Sequence, residues 1–399
     1  MTTGFETPLR NDLQSAIADA AAAIEPGLVA VRRDLHAHPE LAFEEVRTAG
    51  VVAAELARLG IPHRTGIGRT GVVGTLEGAR PGPTLVIRAD MDALPIAERT
   101  GLPFASQSPG LMHACGHDIH TATLLGVAAV LRDLRPHLAG TVRLVFQPAE
   151  ENLGGAASMM AEGVLDGVDT ALGFHNYPGL PVGEFGWCRG SALAASDRFE
   201  ITVRGRSGHA AHPDGAVDPV VAACALVGQL QTVVSREVNP IHPVVVSVTA
   251  IHGGSAFNII PDEVVLRGTV RTLHAPAQDT AEAAIARLCD GVGAGMRVRC
   301  HLDYMRGVPA LVNDDAVLDR TMAAVRNQFG AERVHQREPS LGGEDFAFML
   351  QKVPGCQIGI GSGAPGRHDS LHNSDYQPDE GCIGLGVQAL SRAAAELLG

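Results

Sequence analysis

Aromatic residues are scarce: one tryptophan, three tyrosines and eleven phenylalanines make up 4% of the 399 residues. Hydrophobic residues still account for 45% of the chain. A large core must therefore be packed by valine, leucine, isoleucine and alanine. No apolar run approaches the roughly 20 residues needed to span a bilayer, so no membrane partner is expected. Met1 to Asn11 lacks the basic stretch followed by an apolar one that marks a secretory leader. Cys-x-x-Cys pairs are absent. The cysteines (115, 188, 224, 289, 300, 356 and 382) are scattered and odd in number. A disulfide framework is not expected, and a reducing cytoplasm is the expected compartment. Positive charge is in the minority. The formal net charge of -13 argues against a nucleic acid as partner. There is no fixed-period repeat, and the alanine-rich stretch 18–23 reads as helix rather than linker.

The length suggests two domains. Residues from about Leu9 to Leu35 read as helix, interrupted near Pro26. A second helix runs from about Glu44 to Leu59, with Gly60 as a stop signal. Short apolar runs follow at long intervals: Thr84 to Ala89, Val142 to Phe146, Thr170 to Phe174 and Gln357 to Ile360. Each is too continuously apolar for an exposed antiparallel strand and fits a buried, mostly parallel sheet. Between the first two, Leu124, Val127, Ala128, Leu131 and Leu134 recur at helical spacing. Strand, helix, strand marks a wound α/β domain flanked by helices.

The middle of the chain alternates apolar and polar residues with period two at 198–204, 264–270 and 296–302. Such a sheet has one wet face. Helical stretches fall near Asp218 to Arg236 and Asp279 to Val292. The order β-α-β-β-α-β is the ferredoxin-like arrangement. The expected organisation is an α/β domain of residues 1–189 and 304–399, interrupted by an α+β insert of residues 190–303.

Chemistry-bearing residues sit just after each buried strand. Asp90 and Asp92 follow the first, Glu150 and Glu151 the second, His175 the third. A loop with His368 and His372 follows the fourth, and Cys115 and His117 precede the helix. Ligands of open α/β sheets bind at the carboxyl ends of strands. Thiolate, imidazole and carboxylate together suit zinc or manganese, and cobalt or nickel also fit. This many candidates exceeds the needs of one ion. It fits two divalent metals with a bridging ligand and an activated water. Adjacent glutamates can supply one ligand and one free base to take a proton. Taken singly, each has a bland reading. A lone cysteine is usually a small buried apolar residue. A lone histidine is usually structural, and paired glutamates usually face solvent. Convergence on one rim is what favours a metal centre.

The blocks RRDLHAHPELAFEE (32–45), RADMDALPI (88–96), MHACGHDIHTATLLG (112–126), FQPAEE (146–151), FHNYP (174–178), SGHAAHP (207–213), FNIIPDEV (257–264), GGEDFAFM (342–349) and LHNSDY (371–376) stand in this order. With them the chain resembles the dinuclear-metal amidohydrolases of the aminoacylase and carboxypeptidase G clan. The closest likeness is to its branch of hippurate hydrolases, N-acyl-amino-acid amidohydrolases and auxin-conjugate hydrolases. The resemblance covers nearly the whole chain. It implies metal ligation by Cys115, His117, Glu151, His175 and His372, with Cys115 as bridge. It implies Glu150 as general base and later acid, and Asp92 as the carboxylate that orients a ligand histidine. It implies an insert that acts as lid and dimerisation domain, giving a homodimer or higher homo-oligomer. His209 of the insert would stabilise an oxyanion in a partner subunit. Asn258, Arg271 and the Gly342-Gly343 loop would hold the carboxylate of an N-acyl amino acid substrate. The clan's peptidase branch carries His-x-Asp at the first strand end and a bridging aspartate. Here Asp90-Met91-Asp92 lacks that histidine and Cys115 takes the bridging place, which favours an amidohydrolase over a dipeptidase or aminopeptidase. A module that binds acyl amino acids without cleaving them would have no need of Glu150.

Overall fold

The computed structural model describes residues 6–367 and 369–399, except for the side chains of residues 6–12. His368 and the start of the segment where no leader is expected lie outside the described residues. The chain divides into two compact units. One comprises residues up to Gly190, Val312–Glu338 and Phe348–Gly399; the other comprises Ser191–Leu311 and Pro339–Ala347. The insert thus runs further than 303, because its last strand, Arg299–Val308, is longer than its alternation suggests. It also recruits the Gly342-Gly343 segment, whose Gly342 carbonyl accepts the Ala194 N–H at 2.9 Å.

The larger unit holds an eight-stranded mixed sheet. Its central strands are Ala139–Gln147, Arg80–Asp90, Thr170–Pro181 and Gly355–Gly363, each parallel to its neighbour. An antiparallel hairpin, His63–Ile67 with Gly71–Glu77, continues the sheet on the Ala139–Gln147 side. The helix His117–Leu134 has fifteen buried residues from His117 to Leu131. Long helices Glu6–Ala37 and Gly381–Leu398 pack with it, sharing a core that includes Ile17, Ala21, Leu28, Leu124, Val127, Val387 and Leu390.

Two expectations need correction. Pro26 does not interrupt the first helix, which is continuous from Glu6 to Ala37. Pro26 points to solvent, while Ile17 and Ala21 before it and Leu28 and Leu35 after it are buried. Each of those burials is worth up to about 1.5–3 kcal/mol for the larger side chains, which offsets the roughly 3 kcal/mol a helix-interior proline costs. Second, the strand beginning at Thr170 does not stop before His175 but continues to Pro181. It stays paired because Gly355–Gly363 runs beside it, with Gly359 opposite His175 and Ile360 opposite Asn176. Glycines at 359, 361 and 363 leave room that side chains would fill. A β-carbon on Gly361 would lie 2.0 Å from the Pro181 carbonyl oxygen.

The smaller unit carries a four-stranded antiparallel sheet. Its strand order is Val244–Gly253, Glu263–Thr272, Ala195–Arg204, Arg299–Val308. Helices Pro219–Thr232 and Ala275–Met296 cover one face through Ala222, Leu226, Leu230, Ala281, Ile285 and Cys289. Asp218 caps the first of these by accepting the Val220 N–H at 2.8 Å. The chain order is β-α-β-β-α-β, with the first and third strands at the centre, which is the ferredoxin-like topology.

Candidate metal centre

Cys115 and His117 flank Gly116, which starts the helix His117–Leu134 in the left-handed region at φ 88°. A β-carbon at position 116 would lie 2.4 Å from Asn176 Nδ2. Only glycine meets both demands, so the Cys-Gly-His corner is fixed by sterics. His175 comes from the strand Thr170–Pro181, and Glu151 from the turn after Ala139–Gln147. His372 comes from a loop and has φ 62°, a sparsely populated conformation for a residue with a side chain. Its N–H donates to the Ala114 carbonyl at 2.8 Å, which ties that loop to the residue before Cys115.

These five side chains form two overlapping groups that share Cys115. Ligand atoms of Cys115, His117 and His175 lie within 4.8 Å of one another, and so do those of Cys115, Glu151 and His372. The Cys115 sulfur is 3.5 Å from His175 Nε2. Glu151 Oε1 is 3.2 Å from His372 Nε2 and 3.9 Å from His117 Nε2. Glu150 joins His117 and Glu151 in a third such group.

Two buried atoms in this cluster form no hydrogen bond: His117 Nε2 and Glu151 Oε1, the latter within ion-pair reach of His372. A buried polar atom without a partner is costly and calls for an explanation such as an ion. The other nitrogens are oriented from behind. His117 Nδ1–H points at Asp92 Oδ1, 3.2 Å away. His175 Nδ1–H donates to the Asn176 carbonyl at 2.7 Å. Each contact turns Nε2 toward the cluster, as metal-binding imidazoles require. Burial pushes the Cys115 thiol well up, although the neighbouring His117 favours its charge. A cation is what would make it a thiolate. Burial works against a charged His117, but Asp90, Cys115 and Asp92 outweigh it and hold the imidazole well above its ordinary range. Glu151 is held below the ordinary carboxylate range; its burial is outweighed by His372 and His117. One thiol, three imidazoles and a carboxylate with unsatisfied atoms turned inward fit divalent cations.

Asp92 does more than orient a histidine. Its Oδ1 accepts the Glu150 N–H at 3.1 Å and its Oδ2 accepts the Glu151 N–H at 2.9 Å. A single buried carboxylate thus fixes both the His117 ring and the glutamate pair. Ala149 and Leu153 take left-handed φ values of 53° and 62° around that pair. The Ala149 N–H donates to Glu45 Oε1 at 2.8 Å, so the turn is held from both sides.

Behind the ligands lies a polar layer of which sequence reasoning singled out only Asp90. Arg88 Nη1 donates to Asp90 Oδ2 at 2.7 Å, and His120 Nδ1 lies 2.5 Å from Asp90 Oδ1. His120 Nε2 accepts the Asn176 N–H at 2.9 Å. The Asn176 amide donates to the Cys115 carbonyl at 2.7 Å, and its oxygen accepts the Tyr376 and Ser362 hydroxyls. Burial opposes the Asp90 charge, but His117, His120 and Arg88 overcome it and hold the carboxyl well below its ordinary range. The available signals were slight. His120 lies three residues after His117, on the same face of the helix, and Asn176 adjoins His175.

The insert residues are placed within their own unit. His209 pairs with Ile259 in a two-residue ladder, and the Ala210 N–H donates to the Asn258 carbonyl at 3.0 Å. Both His209 and Asn258 are exposed. A β-carbon on Gly343 would lie 3.3 Å from Arg271 Nη1, so that glycine's backbone packs against the guanidinium.

Comparison with known proteins agrees with this architecture. The model of Peptidase family M20/M25/M40 matches residues 86–396. An N-acetylcysteine deacetylase of Bacillus subtilis is 39% identical over 93% of this chain and 97% of its own length. A second from the same organism, an N-acetyl-L-cysteine deacetylase, is 40% identical over 94% of this chain and 89% of its own. The crystal structure of the Bacillus subtilis YXEP protein, a dinuclear metal binding peptidase from the M20 family, is 36% identical. It covers 94% of this chain and 99% of that one with a TM-score of 0.85. The chain belongs to peptidase family M20/M25/M40 and is an enzyme of the amidohydrolase type.

Proposed function

We propose that the chain hydrolyses the amide bond of N-acyl amino acids, releasing a carboxylic acid and a free amino acid. The observation that carries this is the buried Glu150, grouped with His117 and Glu151 and fixed through its N–H by Asp92. Cys115, His117, Glu151, His175 and His372 would hold two divalent ions, zinc or manganese and alternatively cobalt or nickel, which when bound lower the pKa of water and polarise the scissile carbonyl. Glu150 takes the proton from the attacking water and returns it to the leaving amine nitrogen. Asp92 keeps His117 and Glu150 in register during both transfers. His209 of a second copy would donate to the oxyanion, and Arg271, Asn258 and the Gly343 N–H would hold the substrate carboxylate. The Bacillus deacetylases support an acyl-amino-acid substrate.

Purified chain reconstituted with manganese or zinc should release free amine from N-acetylmethionine or hippurate. Cleavage of dipeptides alone would make it a peptidase. Tight binding without amine release would make it a binding module.

A second copy of the chain is the partner we infer. The helix Pro219–Thr232 exposes Val220 and Val221, and the edge strand Val244–Gly253 exposes Ile251. Phe257 is fully exposed nearby in sequence. An apolar helix side beside an unpaired strand edge suits self-association. Sedimentation of the full chain should show a dimer; a monomer at micromolar concentration would remove this reading. Among the described residues no helix is long and apolar enough to cross a membrane. The free thiols, Cys115 above all, suit the reducing cytoplasm.

A further inference from the structure

The block RRDLHAHPELAFEE (32–45) supplies no candidate ligand, yet its last residue reaches the turn that carries Glu150. Glu45 is fully buried. It stands at the N-terminus of the helix Val46–Arg58, but its side chain does not cap that helix. Glu40 does so instead: its carboxylate accepts the Arg47 N–H at 2.9 Å and the Thr48 N–H at 2.8 Å. Glu45 is thereby left for other partners. Its Oε1 accepts the Phe43 N–H at 3.0 Å and the Ala149 N–H at 2.8 Å, and its Oε2 accepts the Thr70 hydroxyl. Segments around residues 43, 70 and 149 thus meet on one carboxylate.

Each of those segments carries a strained residue. Phe43, Arg69 and Ala149 take left-handed φ values of 65°, 83° and 53°. Such backbone persists only where its surroundings over-determine it, and it gathers at functional sites. The Arg69 guanidinium lies 4.4 Å from the centre of the Phe43 ring, and a β-carbon on Gly154 would lie 3.6 Å from that ring. The far end of the Glu150-Glu151 turn is therefore packed against the same cluster. Burial pushes the Glu45 carboxyl above its ordinary range against the bonds from Thr70 and Ala149, and neighbouring Asp92 pushes it further. Packing alone would be served better by an apolar side chain. Three successive N–H groups are each held by a buried carboxylate: Ala149 by Glu45, Glu150 and Glu151 by Asp92. The left-handed turn at Ala149 sets the direction in which the Glu150 side chain leaves the backbone.

We propose that Glu45 is a positioning residue for the hydrolysis: by gripping the Ala149 N–H it holds the turn that aims the Glu150 carboxylate. This rests on the reading of Glu150 as the proton carrier. Glu45 touches no reacting atom and acts only through the backbone. A shift of about 1 Å in a reacting group can cost about a hundredfold in rate.

Glu45→Gln keeps an oxygen for the Ala149 and Phe43 N–H groups and turns its amide to the Thr70 hydroxyl, which can accept. Metal-loaded Glu45→Gln should keep kcat on N-acetylmethionine within about fivefold of wild type. Glu45→Asp, one methylene shorter, and Glu45→Ala both withdraw the acceptor from Ala149. They should lower kcat by about 100-fold and change KM by less than about threefold. Both should bind metal with wild-type stoichiometry, because Asp92 and the candidate ligands are untouched. Thr70→Val removes a bond to Glu45 but leaves Ala149 its acceptor; it should lose stability and keep kcat. Thermal melts show which variants are folded at the assay temperature, and Glu45→Asp carries the comparison if Glu45→Ala is not. A Glu45→Ala or Glu45→Asp variant with kcat within about tenfold of wild type, or an equal loss in Glu45→Gln or Thr70→Val, overturns the proposal. Hydrogen exchange, read by mass spectrometry on peptides covering residues 147–153, gives an arm that needs no turnover. Exchange there should be at least about tenfold faster in the variants that withdraw the acceptor and unchanged in Glu45→Gln. If Glu150→Gln turns over normally while this result holds, the reading of Glu150 fails and the brace stands. Unchanged exchange refutes the brace whatever the turnover.

Discussion

Glu150→Gln should bind metal with wild-type stoichiometry and turn over N-acyl amino acids about a thousandfold more slowly, within the range of about 10²–10⁴ for a lost general acid–base. The amide keeps the size of the side chain. The Asp92 bond to the Glu150 N–H involves only the backbone and survives the change. Five candidate ligands, Cys115, His117, Glu151, His175 and His372, are untouched. The loss should therefore fall on kcat, with KM moved little. Metal analysis of the dialysed protein and steady-state kinetics on N-acetylmethionine together check it. Turnover within tenfold of wild type would take the proton-transfer role away from Glu150.

Cys115→Ala should be as damaging by another route. Cys115 is common to the two ligand groups, so its removal weakens both at once. Loss of a carboxylate or carbonyl behind a ligand typically costs about 10–100-fold in metal affinity, and loss of a shared ligand should cost at least the upper figure. With cobalt as probe, the wild type should show a near-ultraviolet sulfur-to-metal charge-transfer band that the variant lacks. Titration against a chelator should show weaker binding of both ions. A variant that retains two tightly bound ions would mean that the bridge is something else, and an unchanged band would mean that the sulfur belongs to another cysteine. Treating the wild type with chelator should abolish amine release, and adding manganese or zinc should restore it.

The parts of this molecule legible in its sequence are those where a local pattern and a tertiary role coincide. The strand cores at Thr84 to Ala89 and Val142 to Phe146 are apolar because they are buried on both faces, and the structure extends each by a few residues. The helix His117–Leu134 was legible from the apolar spacing of Leu124 to Leu134. Alternation revealed the ferredoxin-like insert because one face of its sheet is wet. What escaped depends on partners remote in sequence. Nothing local says that Pro26 will be outvoted by leucine and isoleucine burial on either side. The strand at His175 runs on only because glycines at 359, 361 and 363 let a neighbour come close. Asp90, His120, Asn176 and Tyr376 are ordinary polar residues until the fold removes them from water together. The family resemblance implied Asp92 as the carboxylate behind a histidine. Its hold on the Glu150-Glu151 backbone was not legible, because a backbone N–H leaves no mark in a sequence.

The layer behind the ligands also orders events in time. Asn176 and Tyr376 stand 200 residues apart in the chain, and the whole ferredoxin-like insert is translated between them. A ribosome adding about 5–20 residues per second has Cys115, His117, Glu151 and His175 in place many seconds before His372 emerges. During that interval Cys115 lacks the loop that ties His372 to Ala114. The insert, with a core of its own, can fold while the larger sheet still waits for Gly355–Gly363. Closing the loop of the larger unit then costs little more entropy than a shorter loop would, since that cost grows only with the logarithm of length. The five candidate ligands thus come together late in synthesis, only after the last sheet strand has been made.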